Sequence, residues 1–374
     1  MLISRAMPFD VRDFSGALPQ DRAESRRNRR LVALWLFGVA GMVLVMIVLG
    51  GVTRLTGSGL SIMEWAPVRG ALPPSSNAEW QRLFDLYRQV PQYALVNEGF
   101  GLAGFKQIFW LEWVHRLWGR LIGLAFLGPQ VWFWATGRIE PRLRGWLALL
   151  FLLGGLQGLI GWIMVASGFL PDSTAVSPYR LVIHLVFALM LYSALVWTGM
   201  TVLRQAPARG VHAGRLRAMA LLCWGSLALT IVTGGFVAGT HAGFDYNTFP
   251  LMDGRLVPLG YARLEPLLRN ITENIAAVQF DHRLLATVTM LIAAITVAVG
   301  LAVPLPRFAR LAVIALGVTV AAQYILGVTT LLFVVPVRLA SAHQANAVLA
   351  LTTSLVLLHV LRPDPTARPR VSAA

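Results

Sequence analysis

Residues 110–120, Trp110-Leu-Glu-Trp-Val-His-Arg-Leu-Trp-Gly-Arg120, run directly into the apolar stretch 121–135. Much later the chain repeats the arrangement: Val278-Gln-Phe-Asp-His-Arg283 leads into the apolar run 284–303. Both segments place a histidine and an arginine, His115-Arg116 and His282-Arg283, at the mouth of a long hydrophobic segment. Each half then supplies a second histidine, His184 in Arg180-Leu-Val-Ile-His184 and His343 in Arg338-Leu-Ala-Ser-Ala-His343. The members of the two pairs stand 69 and 61 residues apart. Imidazole is costly in hydrocarbon and a good iron ligand, so a duplicated pair points to two haem sites.

The rest of the chain fits a membrane setting. Of its 374 residues 56% are hydrophobic and 13% charged, with a mean hydropathy of +0.65, which excludes an ordinary soluble domain. Apolar runs occur near 31–51, 114–135, 146–165, 181–203, 217–238, 284–303, 311–335 and 342–361. About 20 residues at about 1.5 Å each cross a hydrocarbon core of about 30 Å. The expected fold is therefore an all-α polytopic membrane protein with eight transmembrane helices, because unpaired backbone groups are not tolerated in lipid. The second and sixth spans begin beside charged residues, which blurs their edges.

Arginine placement sets the orientation. Arg22, Arg26, Arg27, Arg29 and Arg30 precede the first span. Alternate connections carry Arg138, Arg142 and Arg144, then Arg204, Arg209, Arg215 and Arg217, then Arg307 and Arg310; Arg362, Arg368 and Arg370 follow the last span. By the positive-inside rule both termini are cytoplasmic, and the net charge of +15 is mostly a topology signal. Basic residues spread over five segments do not make a nucleic-acid surface. The loops 52–110, 166–180, 239–281 and 336–341 then lie on the far side. All four paired histidines fall at the outer ends of the second, fourth, sixth and eighth spans, at the one depth that two axial ligands of a haem require. Residues 1–30 lack an apolar core, so they do not read as a secretory signal, and Asp10, Asp13, Asp21 and Glu24 argue against an organellar presequence. The single Cys223 excludes an internal disulfide, a cysteine metal cluster and thioether haem attachment.

Laying 31–203 over 217–361 aligns more than histidines. Gly50-Gly51-Val-Thr-Arg corresponds to Gly234-Gly235-Phe-Val-Ala, and each leads into a Gly-rich outer loop reaching Pro67 or Pro250. Gln157 with Gly161 matches Gln323 with Gly327. An even number of spans per unit gives both halves the same orientation, hence two four-helix bundles related by a pseudo-two-fold axis along the membrane normal. The expected organisation is a cytoplasmic tail 1–30, a first bundle 31–203, a linker 204–216, a second bundle 217–361 and a cytoplasmic tail 362–374. Gly154, Gly155, Gly158 and Gly161 read as general helix packing rather than as part of a site.

Glu112 precedes His115 by three residues and shares its helix face, whereas the second half has Gln279 there. A carboxylate beside one iron ligand and not the other suggests one catalytic and one passive pocket; a glutamate facing interfacial water is the plainer explanation. Arg116 and Arg283, with Arg54 and Arg338 as further candidates, are placed to meet haem propionates, although snorkelling at helix ends explains them equally. Trp110, Trp113 and Trp118 suit either a porphyrin wall or an interfacial aromatic belt. His212 and His241 read as loop residues, His359 as a side chain snorkelling at the cytoplasmic interface, and Asp281 as structural.

Five motifs together resemble the haem A synthase family. They are Gly50-Gly-Val-Thr-Arg-Leu-Thr-Gly-Ser-Gly-Leu-Ser61 with Trp65 and Pro67, Glu112-Trp-Val-His-Arg-Leu-Trp-Gly-Arg120, Tyr246-Asn-Thr-Phe-Pro-Leu-Met-Asp-Gly254, Phe280-Asp-His-Arg-Leu-Leu-Ala286 and His343-Gln-Ala-Asn346. The resemblance covers residues 30–361 and is closer to the mitochondrial and alphaproteobacterial branch, since the extracytoplasmic cysteine pair of Bacillus-type enzymes is absent. It implies oxidation of a peripheral methyl of haem O to a formyl group by two hydroxylations and loss of water. It assigns His115 and His184 to the substrate haem with Glu112 as catalytic carboxylate, and His282 and His343 to a permanent haem b. It further implies an outside electron donor, a haem O synthase upstream, and cytochrome oxidase or an assembly factor downstream. A homo-oligomer is compatible with the sequence. The single Lys106 among 32 basic residues suggests a GC-rich bacterium and hence its cytoplasmic (inner) membrane, with the haem sites towards the periplasm. The rival reading from the residues is a non-catalytic di-haem b-type electron-transfer cytochrome.

Overall fold

The computed structural model describes residues 19–171, 173–203, 207–208 and 213–363. The long helices are α1 (Pro19–Leu55), α2 (Leu102–Ala135), α3 (Pro141–Ala166), α4 (Pro178–Val202), α5 (Ala213–Gly239), α6 (Ile275–Ala302), α7 (Arg307–Leu332) and α8 (Val337–Val360). No β-strand occurs among the described residues. Six helices, α1 and α3 to α7, are long and apolar enough to cross a membrane. The other two, α2 and α8, carry His115 and His343 together with Glu112, Arg116, Arg120 and Arg338, which makes them more polar.

Helix boundaries follow local chemistry. Pro141 and Pro178 open α3 and α4, where a missing N–H costs nothing, and Pro306 and Pro336 directly precede α7 and α8. Asn274 caps α6, its side chain accepting from the N–H groups of Ala276 and Ala277 at 3.0 and 3.4 Å. The end of α1 turns at Gly57, whose φ of +64° suits glycine. There Gly57 N–H donates to Arg54 O (3.1 Å) and Ser58 N–H to Thr53 O (2.9 Å), a pairing that closes the helix and starts the first outer loop.

Three helices begin well before the expected apolar runs, one of them α6, at Ile275 rather than 284. The helix α1 begins at Pro19, ahead of the apolar run that starts at 31; once a long helix is nucleated, each added residue gains a bond at little cost. The helix α2 begins at Leu102, twelve residues before the expected 114. The segment before His115 is helical because its apolar face is covered. A short helix, Asn77–Tyr87, capped by Ser76 accepting from Glu79 N–H at 3.2 Å, lays Trp80, Phe84 and Tyr87 on Phe105, Ile108 and Phe109 of α2. Trp80 meets Phe109 edge-on at 4.8 Å, and Tyr87 stacks on Phe105 at 5.5 Å. The loop between α1 and α2 is thus a small packed cap.

In the first half α1 packs on α2 and α4, and α3 on α2 and α4; in the second half α5 packs on α6 and α8, and α7 on α6 and α8. Contacts α1–α8, α4–α5 and α4–α8 join them. Polar links also cross the join, among them Tyr192 Oη with Thr352 Oγ1 at 2.7 Å and Gln344 Nε2 donating to Ile47 O at 2.7 Å. One continuous apolar core includes the fully buried Leu36, Leu147, Leu216, Leu316 and Leu357. Outward-facing Leu124, Leu152 and Val318 are about two-thirds exposed, the reverse of a soluble bundle and the pattern expected where lipid is the solvent.

Candidate functional site

Each of the four histidines lies against a glycine of a neighbouring helix. A methyl group at Gly50 of α1 would stand 3.0 Å from His115 Cε1, and one at Gly161 of α3 would stand 2.8 Å from His184 Cε1. In the second half Gly234 of α5 and Gly327 of α7 hold the same relation, both at 2.9 Å, to His282 and His343. The rings rest on bare helix backbone, and any side chain there would push them away. His115 lies within electrostatic reach of His184, and His282 within reach of His343. The sequence pairs are therefore pairs in space. The glycine reading needs correcting: Gly161 is a seat for an imidazole, whereas Gly154, Gly155 and Gly158 have nothing within 4 Å of the added methyl.

The ring nitrogens are not equally satisfied. His282 Nδ1 meets Thr233 Oγ1 at 3.0 Å, and His184 Nδ1 meets Gln157 Nε2 at 3.1 Å. His343 Nε2 lies 3.3 Å from Gln323 Nε2, whose amide oxygen accepts from Asn346 Nδ2 at 3.0 Å. His115 Nδ1 and His343 Nδ1 are buried and have no hydrogen-bond partner among the described residues. Buried polar atoms without partners are uncommon. Paired imidazoles within electrostatic reach of each other, each seated on a glycine, fit a haem held by two histidines. No cluster of three or more His, Cys, Asp or Glu side chains suited to a metal ion occurs among the described residues, and axial ligation of haem iron needs none.

Outside each pair a polar latch ties the helix to its loop. Glu112 is buried, 2% exposed, which removes the reading of a glutamate facing interfacial water. Its Oε2 accepts from Ser61 N–H (2.8 Å), Ser61 Oγ (2.7 Å) and Ile62 N–H (2.9 Å), and its Oε1 from Arg116 Nε (3.0 Å). Arg116 also donates to Ile62 O (2.6 Å) and Glu64 O (2.7 Å). Gln279 occupies the matching place with opposite polarity: its Nε2 donates to Ala242 O (2.6 Å) and Asp245 O (2.5 Å), and its Oε1 accepts from Arg283 (2.7 Å). Arg283 reaches Tyr246 O and Thr248 O at 2.5 and 2.8 Å. Both arginines, read from sequence as propionate partners, spend donors on loop carbonyls and on Glu112 or Gln279; Arg283 Nε stays buried and unpartnered among the described residues. Above the first pair, Trp65 stacks on Trp162 at 6.0 Å, and the Arg116 guanidinium lies 5.6 Å from the Trp162 ring.

The other candidates separate cleanly. His359 does not snorkel: it is 1% exposed, edge-on to Trp197 at 5.0 Å, and accepts from Arg362 at 3.0 Å. Burial between α4 and α8 holds it, because the helix end is covered by protein. His241 is an exposed loop residue, and Asp281 accepts from Tyr261 Oη at 2.7 Å; His212 lies outside the described residues. Arg54 donates to Ala238 O across the two halves, and Arg338 is exposed. Trp110 belongs to the outer aromatic cap, and Trp118 Nε1 ties α2 to Met42 O of α1 at 2.9 Å. Sequence reasoning missed Ser61, Ile62, Trp162 and Thr233; of the ring-contacting Gly50, Gly161, Gly234, Gly327, Gln157 and Gln323 it saw the repeat but not the function.

Among known proteins the chain is 60% identical over 337 residues to the "Heme A synthase" of Granulibacter bethesdensis, covering 90% of this chain and 89% of the relative. It is 51% identical over 345 residues to the "Heme A synthase" of Rhodospirillum centenum, covering 91% and 90%. It is 47% identical over 354 residues to "Heme A synthase 2" of Acidiphilium cryptum, covering 93% and 96%. The family model described as "Cytochrome oxidase assembly protein" (COX15-CtaA) matches residues 33–355, which takes in both histidine pairs, both latches and all four glycine seats. The chain belongs to that family.

Proposed function

We propose that this chain is a haem A synthase, an enzyme that oxidises a peripheral methyl of haem O to the formyl group of haem A. The observation that carries the reading is the duplicated histidine pair with unequal surroundings, in a chain whose relatives bear that name over nine-tenths of its length. Haem O is the substrate and haem A the product. We further propose that α1–α4 and α5–α8 are two four-helix bundles of an eight-span protein of the bacterial inner membrane. In this reading both termini are cytoplasmic and the histidines lie near the periplasmic side. The arginine distribution supports the orientation, and the equivalent glycine seats support the pseudo-two-fold relation.

In this scheme His115 and His184 flank the substrate, while His282 and His343 hold a haem b, which when bound supplies one-electron redox chemistry. The two imidazoles of each pair, pressed onto glycine, fix the plane between them. Glu112 serves the first site by holding Ser61 and Ile62 over it, with Arg116 closing the same loop. Trp65 and Trp162 screen that side from water. In the second half Arg283 retains an Nε–H for a propionate. Electrons come from a donor outside the chain; haem O synthase and cytochrome oxidase or its assembly factors are the proposed neighbours.

Chromatography of haem extracted from cells that express the chain together with a haem O synthase tests the function. Haem A is the expected product. Only haems B and O, with a normal two-haem spectrum, would replace the enzyme by the electron-transfer cytochrome.

A further inference from the structure

We infer that Thr233 is a positioning residue that holds His282 in the tautomer able to offer Nε2 to iron. We infer also that Leu49, at the equivalent place in the first half, leaves His115 without that restraint, so that the second site retains its haem and the first exchanges it. The inference rests on the two-haem reading and deepens it.

Equivalence of the two positions is structural. Gly50 and Gly234 seat His115 and His282 at nearly the same distance, 3.0 and 2.9 Å, and Leu49 and Thr233 are the residues just before them. The Thr233 hydroxyl has one proton. That proton goes to Thr230 O at 2.9 Å. At His282 Nδ1, 3.0 Å away, Thr233 Oγ1 therefore accepts, beside the Thr230 backbone carbonyl, which also takes a hydrogen bond from His282. The N–H is fixed on Nδ1, and the Nε2 lone pair is left for a metal. Partners of this kind orient a ligating ring and raise its basicity.

The first half lacks the device. Leucine cannot accept, and His115 Nδ1 is buried with no partner among the described residues. His184 does not make up for it. The Gln157 amide nitrogen that faces its Nδ1 at 3.1 Å also donates to His184 O at 3.0 Å, which fixes that end of the amide as a donor. Neither ring of the first pair has an acceptor for Nδ1–H; in the second pair His343 Nδ1 is likewise unpartnered among the described residues, and the device is confined to His282. Such looseness suits a haem that arrives as substrate and leaves as product.

The test uses the full-length holoprotein and apomyoglobin as the haem trap. Wild type should release haem in two phases, with His282→Ala removing the slow one. Thr233→Val should speed the slow phase about 10-fold or more and shift the low-spin EPR signal of the retained haem. Thr233→Ser should restore both. Leu49→Thr should slow the fast phase by a comparable factor, and it tests the same idea without removing anything from the second half. Unchanged release and EPR signals in Thr233→Val and Leu49→Thr, with His282→Ala still emptying the slow site, would overturn the inference and leave the two-haem reading standing. A wild-type spectrum and both phases in His282→Ala would overturn the two-haem reading itself.

Discussion

The latch of the first half accepts where the latch of the second half donates. Glu112 receives the N–H groups of Ser61 and Ile62, while Gln279 gives its amide hydrogens to the carbonyls of Ala242 and Asp245. Helix position, arginine partner and job are otherwise alike. The lesson is that the Glu/Gln difference follows which backbone atoms the outer loop turns towards the helix. A carboxylate seen in only one half is thus not by itself a mark of catalysis. Asymmetry also appears at the rings, where the second half adds Thr233 and Asn346, and outside them, where only the first loop builds an aromatic cap on α2.

Exchanging the latches is the strongest way to break this comparison. Glu112→Gln is expected to retain bound haem and lose haem A formation, read by extracted-haem chromatography. A Gln there sets its amide hydrogens against N–H groups unless the loop moves. Gln279→Glu is expected to cost about 2 kcal/mol or more in stability, since it leaves two buried carbonyls without donors, while product formation falls only as far as folded protein is lost. Normal haem A from Glu112→Gln would remove that residue from the reaction's machinery.

The glycine seats sharpen the comparison next. Gly161→Ala and Gly327→Ala would each place a methyl under 3.0 Å from an imidazole carbon. Each is expected to cost about 1–3 kcal/mol by overpacking and to disturb the haem of its own half alone, read from the low-spin spectrum. Gly158→Ala, with open space around the methyl, serves as the control and should be neutral or stabilising by up to about 1 kcal/mol. Equal spectra from all three variants would show that the seats do not fix the rings.

The smallest effect concerns the first outer cap. Glu64 and Arg82 pair through two bonds, at 2.8 and 3.1 Å, with both side chains about half exposed. The hydrogen bond from Arg82 holds the Glu64 carboxyl below its usual 4.5. A carboxylate with a lowered folded value contributes above its unfolded value and loses that contribution as pH falls through the folded one. Arg82→Met should therefore lower thermal stability slightly at neutral pH, by less than about 1 kcal/mol, and the difference should vanish well below pH 4.5. A difference that grew on acidification would contradict the assignment.

Much of this was legible beforehand because the signals are local or repeated. Apolar runs, arginine placement and four histidines in two matched pairs each need only the chain order, and the members of each pair lie within electrostatic reach of each other. The start of α2 was not legible: the segment 102–113 looks like loop until Trp80, Phe84 and Tyr87 cover it. His359 was misread because a histidine at a span end snorkels unless protein buries it, and the neighbour that buries it, Trp197, belongs to another helix. Glycines within apolar helices carry no sign of which of them supports an imidazole.

The amino-acid order by itself determined an all-helical, membrane-type chain and singled out two matched pairs of histidines, since composition, periodicity and repetition act along one dimension. Only tertiary structure decided which glycines seat those rings, which hydroxyl fixes a tautomer, and that Glu112 and Gln279 answer opposite faces of the backbone. Those are contacts between residues tens to hundreds of positions apart, and hydrogen-bond direction becomes defined only when the partners are brought together.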